Sequence, residues 1–429
     1  MRPDKDFDVI IIGAGPAGSA CAYTLAKQGK DVMLIERGDF PGSKNMTGGR
    51  IYSYALEQLE PGLTASTDLE RCVVHEQVMV MAGGRSIMLD YHDPLFNPEN
   101  GVPQSYTVLR SKFDRWLANK AESAGVNIVC GIRVDDVIKE NGDIIGVIAG
   151  DDKMICDLVI AADGVNSLMA QKAGLIGDIR AGSMGLGIKE TIELPSEIIN
   201  QRFNLKENEG TARMILGCTD GIRGGAFLYT NNDSISLGAV YSPEDIQKCG
   251  KPAHRLFQEL KMHPAIYPLI TDGRTVEYAA HLVGEGGYKA RIAKPYQNGL
   301  LVIGDAAGFV MNMGYTVRGL DLAILSGIAA ADAYLSEQDS RKTGPVYVSE
   351  LEKALLPAMR AVEKYHQVMQ NSSLYTEYPQ MAVSLMTGIY TVDAPGTASL
   401  KTLTKQTLKA NHFSWRKAAK AIWTVVKSS

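Results

Sequence analysis

The sequence predicts an α/β fold, a parallel nucleotide-binding sheet interleaved with an antiparallel-sheet lobe and followed by a helical C-terminal segment. An apolar strand beginning at Asp8 runs into the G-x-G-x-x-G pattern of Gly13, Gly15 and Gly18, and a second apolar strand from Asp31 ends in Glu36 and Arg37. Far down the chain another apolar strand, from Gly299, ends in Gly304 and Asp305. Between them, residues 180–245 alternate apolar and polar positions in short runs, as half-buried antiparallel strands do.

Residues 7–37 read as a Rossmann-like βαβ unit. Its glycines let the backbone turn tightly and approach a pyrophosphate at a helix N-terminus, and Glu36 sits where an acid accepts a ribose hydroxyl. A tight strand-to-helix turn with an incidental acid is the alternative. The segment Pro41 to Arg50 is too rich in glycine and polar residues for regular structure, and its position would carry it beside a bound ring. Residues 106–124 read as a strand end and a helix, 127–134 as a strand closing at Val134, and 144–149 and 154–162 as strands, the last leading into Asp163 and Gly164. A helix near 251–261, a strand over 277–283 and an apolar helix near 318–335 follow. The remainder is mostly helical. The expected division is 1–75, 105–175 and 285–345 for a discontinuous nucleotide domain, 76–104 and 176–284 for the second lobe, and 346–429 for a helical region.

Composition narrows the function classes. The 429 residues are 45% hydrophobic and 21% charged, enough for a sizeable core, and a net charge of −4 does not suit a general nucleic-acid binder. Six cysteines are scattered with no C-x-x-C, so the chain offers no iron–sulfur or zinc pattern, and its seven histidines lack metal-ligand spacing. The N-terminus shows no secretory apolar region and no apolar run approaches a membrane span, which leads to the expectation of a reducing, cytoplasmic location.

The distant Gly304-Asp305 strand separates flavin from nicotinamide, because a flavin's ribityl chain and ring reach beyond the pyrophosphate. Here the chain resembles the FAD-binding proteins of the glutathione-reductase superfamily, in the branch holding aromatic-ring hydroxylases and geranylgeranyl reductases. The resemblance places the Asp305 carboxylate on the ribityl chain; capping of the following helix is the alternative reading. It becomes narrow over Lys44 to Tyr52, Tyr106 to Asp114, Asp163 to Ser167, Gly224 to Asn231, Gly304 to Gly308 and Gly314 to Asp321. Occurring in this order, these strings resemble the Fix-type electron-transfer flavoprotein:quinone oxidoreductases.

The resemblance implies an FAD enzyme, peripheral on the inner face of the cell membrane, that takes electrons from an electron-transfer flavoprotein (alpha and beta subunits) and passes them to a membrane quinone. It further implies a separate ferredoxin-like iron–sulfur subunit, since this sequence carries no cluster ligands of its own. By the same resemblance Arg110 faces the cofactor phosphate and ribityl region, and Asp163 and Gly164 form a turn beside it. Thr47, Gly48 and Gly49 flank the ring, with Arg37, Lys44 and Val134 joining the cofactor-binding set. Gly314, Tyr315 and Thr316 belong to the loop that opens a helix toward the ring, where a helix dipole favours negative charge. Gly224 and Gly225 bring backbone to the quinone head group; a strand bulge is the alternative. No triad or carboxylate pair is nominated, because a flavin brings the redox chemistry and the protein orients it. A geranylgeranyl-type isoprenoid reductase and an electron-relay subunit without independent turnover are the competing functions.

No acidic residue follows Asp393, while Lys401, Lys405, Lys409, Arg416, Lys417, Lys420 and Lys427 are all basic. Trp415, Ala419, Ile422 and Val426 share one face at helical spacing, which predicts a basic amphipathic helix suited to a membrane surface or to a partner.

Overall fold

A computed structural model describes residues 4–44, 48–67, 69–177, 184–337, 339–392 and 398–410. Two sheets organise it. In the first, the strands Phe7–Ile12, Val32–Glu36, Asn127–Cys130, Asp152–Ala161 and Leu300–Val302 run parallel, in the spatial order 300–302, 152–161, 7–12, 32–36, 127–130. A hairpin of Asp136–Glu140 and Asp143–Ala149 is appended antiparallel to the start of Asp152–Ala161. Residues Val9 to Ile12 are buried on both faces, as expected of a parallel strand covered by helices. The helix Pro16–Lys27 covers one face, and the helix Leu320–Ser336 packs on it so closely that a Cβ at Gly327 would meet the Ala17 carbonyl oxygen at 2.4 Å.

The second sheet has the order 274–284, 184–193, 234–241, 224–230, 209–216, 72–82, 105–108, 49–52, with 85–92 paired to 72–82. All its pairs are antiparallel except Glu209–Leu216 with Cys72–Ala82. It has a separate core of Ile188, Leu228, Leu237, Phe257 and Ile266, among others.

The chain differs from the expected division in three places. The boundary at 75/76 cuts the strand Cys72–Ala82, all of which belongs to the second sheet. Gly49–Tyr52 and Ser105–Val108, expected in the nucleotide domain, pair with each other and join the second sheet. Antiparallel backbone pairing, Gly49 with Val108 through Tyr52 with Ser105 and Tyr106 with Cys72, carries them across. The boundary at 345/346 cuts the helix Ser340–Ala354, which belongs to the first core: Tyr347 donates to the Val302 carbonyl at 3.0 Å and is fully buried. The strand expected over 127–134 stops at Cys130, because Gly131 and Ile132 turn to bond Gly38 and Glu36 carbonyls. The apolar helix begins at Leu320, after Gly319.

Candidate cofactor site

A cavity of about 450 Å³ lies between the two sheets. At one end is the first turn. Gly13 has φ +103°, and a Cβ there would lie 2.4 Å from the Ala162 carbonyl oxygen; a Cβ at Gly18 would lie 2.0 Å from that of Gly13. Only glycine fits either place, since one needs the left-handed conformation and both need backbone contact. Gly15 faces the opening, with Arg110 Nη2 the nearest group to its missing Cβ at 3.9 Å. Glu36 ends its strand with Oε2 accepting from Ala14 N at 3.0 Å and Oε1 from Gly38 N at 2.7 Å, so the acid is held at the turn and keeps lone pairs for a hydroxyl.

Glu36, Arg37, Lys44, Gly48, Gly49, Arg110, Val134, Asp163, Gly164 and Asp305 line the same cavity as Gly13 and Gly15. Asp163 divides its carboxylate: Oδ2 accepts from Met169 N at 2.9 Å, capping a short helix, while Oδ1 is buried without a partner among the described residues. Burial raises its pKa against backbone donors that lower it. Arg110 forks onto Asp114 at 2.7 and 2.8 Å. Asp305 opens onto the cavity and is accessible there, yet the walls around it hold off bulk water and raise its pKa, with Arg110 opposing.

The far wall comes from the second sheet. Gly224 and Gly225 line it at the start of the strand Gly224–Thr230. Gly224 has φ +146°, and a Cβ there would meet the Val240 carbonyl oxygen at 2.0 Å. Met214, Phe227, Tyr229 and Val240 give this end an apolar surface.

Several expected residues lie off the cavity. Gly18 and Gly304 frame it from behind: Gly304 has φ +61°, and its amide is bonded to Ser326 Oγ at 2.9 Å. The loop expected to open a helix is instead the tip of a small hairpin of Met311–Asn312 with Val317–Arg318. Of Gly314, Tyr315 and Thr316, only Gly314 lines the cavity, joined there by Asn312 and Val317 of the hairpin. Tyr315 is turned outward, 52% exposed and edge-on to Tyr365, and Thr316 bonds the Tyr52 hydroxyl at 2.9 Å. The helix Leu320–Ser336 presents Leu320 and Ala323, with Gly319 just before it. Thr47 lies outside the described residues, as do the tail positions from Arg416 to Lys427.

The cavity also holds groups the motifs did not name. Lys189, almost fully buried in the strand Met184–Glu193, donates to the Gly48 carbonyl. Burial holds its pKa well below the usual lysine range, Arg110 adds to this, and Glu277 opposes it. His281 is likewise lowered by burial, Lys189 and Arg110. A lysine within the strand-like segment Gly185 to Ile192, beside Glu190, was the available sequence signal, since a cation in a covered strand is either paired or functional. Arg50 bonds Ser105 Oγ at 2.8 Å and Glu76 Oε2 at 2.9 Å. Among the described residues no cluster of three or more His, Cys, Asp or Glu could hold a metal ion.

These features suit a flavin dinucleotide: a glycine turn with its acid, an orphaned buried carboxylate oxygen at Asp163, and a space running on to a second sheet. The family described as FAD binding domain matches residues 6–324. Protein FixC of Salmonella typhi is 42% identical over 402 residues, covering 92% of this chain and 93% of that protein. A probable electron transfer flavoprotein-quinone oxidoreductase of Escherichia coli K12, YdiS, is 42% identical over 401 residues, covering 92% of each. Among solved structures, a geranylgeranyl bacteriochlorophyll reductase-like protein of Thermoplasma acidophilum superposes with a TM-score of 0.72 at 20% identity, covering 99% of both chains. The myxobacterial halogenase CndH superposes at 0.64 and 17% identity, covering 95% of this chain and 97% of that one. The structural likenesses establish the fold.

Proposed function

Because the chain belongs to the FAD binding domain family and, within it, to the FixC-type electron transfer flavoprotein-quinone oxidoreductases, we propose that this FAD-dependent oxidoreductase passes electrons from an electron-transfer flavoprotein to a membrane quinone. The supporting observation is the single cavity that joins the dinucleotide turn at Gly13 and Glu36 to the glycine backbone at Gly224 and Gly225. A cofactor anchored at the first end extends toward the second, where an apolar wall suits a quinone head group. When bound, FAD supplies the step between one-electron and two-electron carriers. The chain's own residues hold and orient it: Glu36 the ribose, Asp305 and Arg110 the ribityl and phosphate region, Gly48 and Gly49 the ring edge.

We place the protein in a Fix-type complex with both electron-transfer flavoprotein subunits and a ferredoxin-like iron–sulfur subunit, peripheral on the inner face of the cell membrane. No helix among the described residues is long and apolar enough to cross a membrane. Lys401, Lys405 and Lys409 are exposed on the helix Leu400–Ala410, leading into the basic tail. Stopped-flow mixing of the holoprotein with reduced electron-transfer flavoprotein and a soluble quinone analogue tests the reading. Flavin reduction followed by quinol formation is expected. Reduction of an isoprenoid double bond with no quinol formed would replace it with the prenyl-reductase reading.

A further inference from the structure

A side pocket of about 30 Å³ adjoins the main cavity and shares Gly224, Glu285, Met369 and Tyr375 with it. It is large enough to hold a water. Its remaining lining includes Arg223, His366 and Gln370. Glu285 therefore stands in the wall between two spaces, one of them beside Gly224. The fold makes room for its carboxyl: a Cβ at Gly185 would lie 2.3 Å from Glu285 Oε1. On the other side, the His366 ring packs over Gly287, two residues on, where a Cβ would meet its Cγ at 3.2 Å. His366 is half-buried on the helix Leu356–Met369, and its Nε2 lies 3.4 Å from Nε2 of the exposed Gln370. Solvent, His366, the side pocket, Glu285 and the main cavity thus follow one another in space.

Resting on the quinone seat proposed above, we propose that Glu285 is the proton-carrying residue of quinone reduction, supplied from solvent by His366 through the side pocket. The conversion of quinone to quinol takes two electrons, which the cofactor supplies, and two protons, which must reach the apolar end of the cavity beside Gly224. In each transfer the Glu285 O–H bond breaks and an O–H bond forms on a quinone oxygen. The carboxylate then regains a proton from the His366 imidazolium, which is itself reprotonated from solvent. The second proton follows the same route, and Glu285 and His366 end unchanged.

The electrostatics fit this role. Burial raises the Glu285 pKa, while an Asn312 hydrogen bond and the Arg223 charge oppose it, so the acid form persists above the ordinary carboxyl range. Arg223 is itself engaged by Asp245 at 2.8 Å and Glu244 at 3.1 Å. His366 is lowered by burial, with Glu363 opposing, so it rests as a neutral imidazole whose ring can take a proton from solvent and readily pass it on. Tyr375, the remaining titratable group at the junction, is pushed up by burial and by Glu285, so it stays neutral.

The test compares wild-type holoprotein with Glu285→Gln, Glu285→Asp and His366→Ala. Glu285→Gln is expected to lower kcat for a soluble quinone analogue on the order of 10²-fold, the scale of a lost proton-transfer group, with the quinone KM unchanged. The wild-type rate falls as pH rises through the Glu285 pKa, and this limb disappears in the variant. A carboxylic C=O band titrating over the same range in infrared difference spectra is lost with it. Glu285→Asp retains turnover, and imidazole rescues His366→Ala. An unchanged kcat and pH profile in Glu285→Gln, with Gly225→Val still blocking quinone reduction, overturns the relay and leaves the quinone seat standing. Normal quinone reduction in Gly225→Val overturns the reading beneath it. Should Glu285→Gln lose its flavin, His366→Ala decides: loss with imidazole rescue supports the relay, and normal turnover overturns it.

Discussion

The ammonium of Lys189, on the antiparallel sheet, donates to the carbonyl of Gly48, at the end of the loop leaving the parallel sheet. One buried side chain thereby ties the strand Met184–Glu193 to the residue preceding Gly49–Tyr52, at the far edge of the same second sheet. Its depressed pKa makes it a stability term with a definite sign. Between the depressed folded value and the ordinary 10.5, the unfolded chain binds the extra proton, so apo-protein stability rises with pH through that window. Lys189→Met should flatten this slope and stabilise the apo-protein at neutral pH by about 1–4 kcal/mol, the range seen when buried charge gives way to apolar packing. Urea unfolding across pH checks it; an unaltered slope would show that Lys189 is not the group responsible.

Glu36 holds the first turn through two backbone amides as well as facing the cavity. Glu36→Ala should therefore weaken FAD by roughly 1.5–3 kcal/mol, the value of a hydrogen bond to a charged group, and lower the melting temperature of the apo-protein too. Flavin fluorescence titration and thermal unfolding measure the two effects. Full FAD affinity in the variant would remove Glu36 from the ribose.

At Gly225 a Cβ would stand 3.0 Å from the Ile215 carbonyl oxygen, and any further atoms would fill the apolar end of the cavity. Gly225→Val should abolish quinone reduction and leave the flavin spectrum unchanged, because the dinucleotide turn lies on the other sheet. Steady-state assay with a quinone analogue, alongside the absorption spectrum, reads both.

The helix Leu400–Ala410 docks Leu408 against Tyr378 and Met381, so a truncation that spares it should leave the fold intact. Removing residues 411–429 takes away Arg416, Lys417, Lys420 and Lys427. Each is worth about 1 kcal/mol near an anionic surface. Flotation with anionic vesicles should fall on truncation, and the full-length chain should lose binding as salt rises. Equal flotation of both forms would place any membrane contact elsewhere.

What the sequence determined by itself was local. The glycine turn at Gly13 to Gly18, the acid at Glu36 and the strand ending at Asp305 were legible because each depends on a short stretch whose backbone geometry admits few residue types. The family was legible for the same reason, through strings such as Gly314 to Asp321. Tertiary structure decided what required two distant segments to meet. It moved Gly49–Tyr52 and Ser105–Val108 onto the second sheet, because strand pairing is a choice between partners that neither strand encodes alone. It turned Tyr315 and Thr316 away from the cavity, because a two-residue hairpin pairing, invisible in the pattern, replaced the expected helix start. It also brought Lys189 to Gly48 and Glu285 to the mouth of the side pocket. In sequence Lys189 is one of two adjacent charges, beside Glu190, and Glu285 a single charge in a glycine-rich run; only tertiary packing removes the water around each and gives it a task.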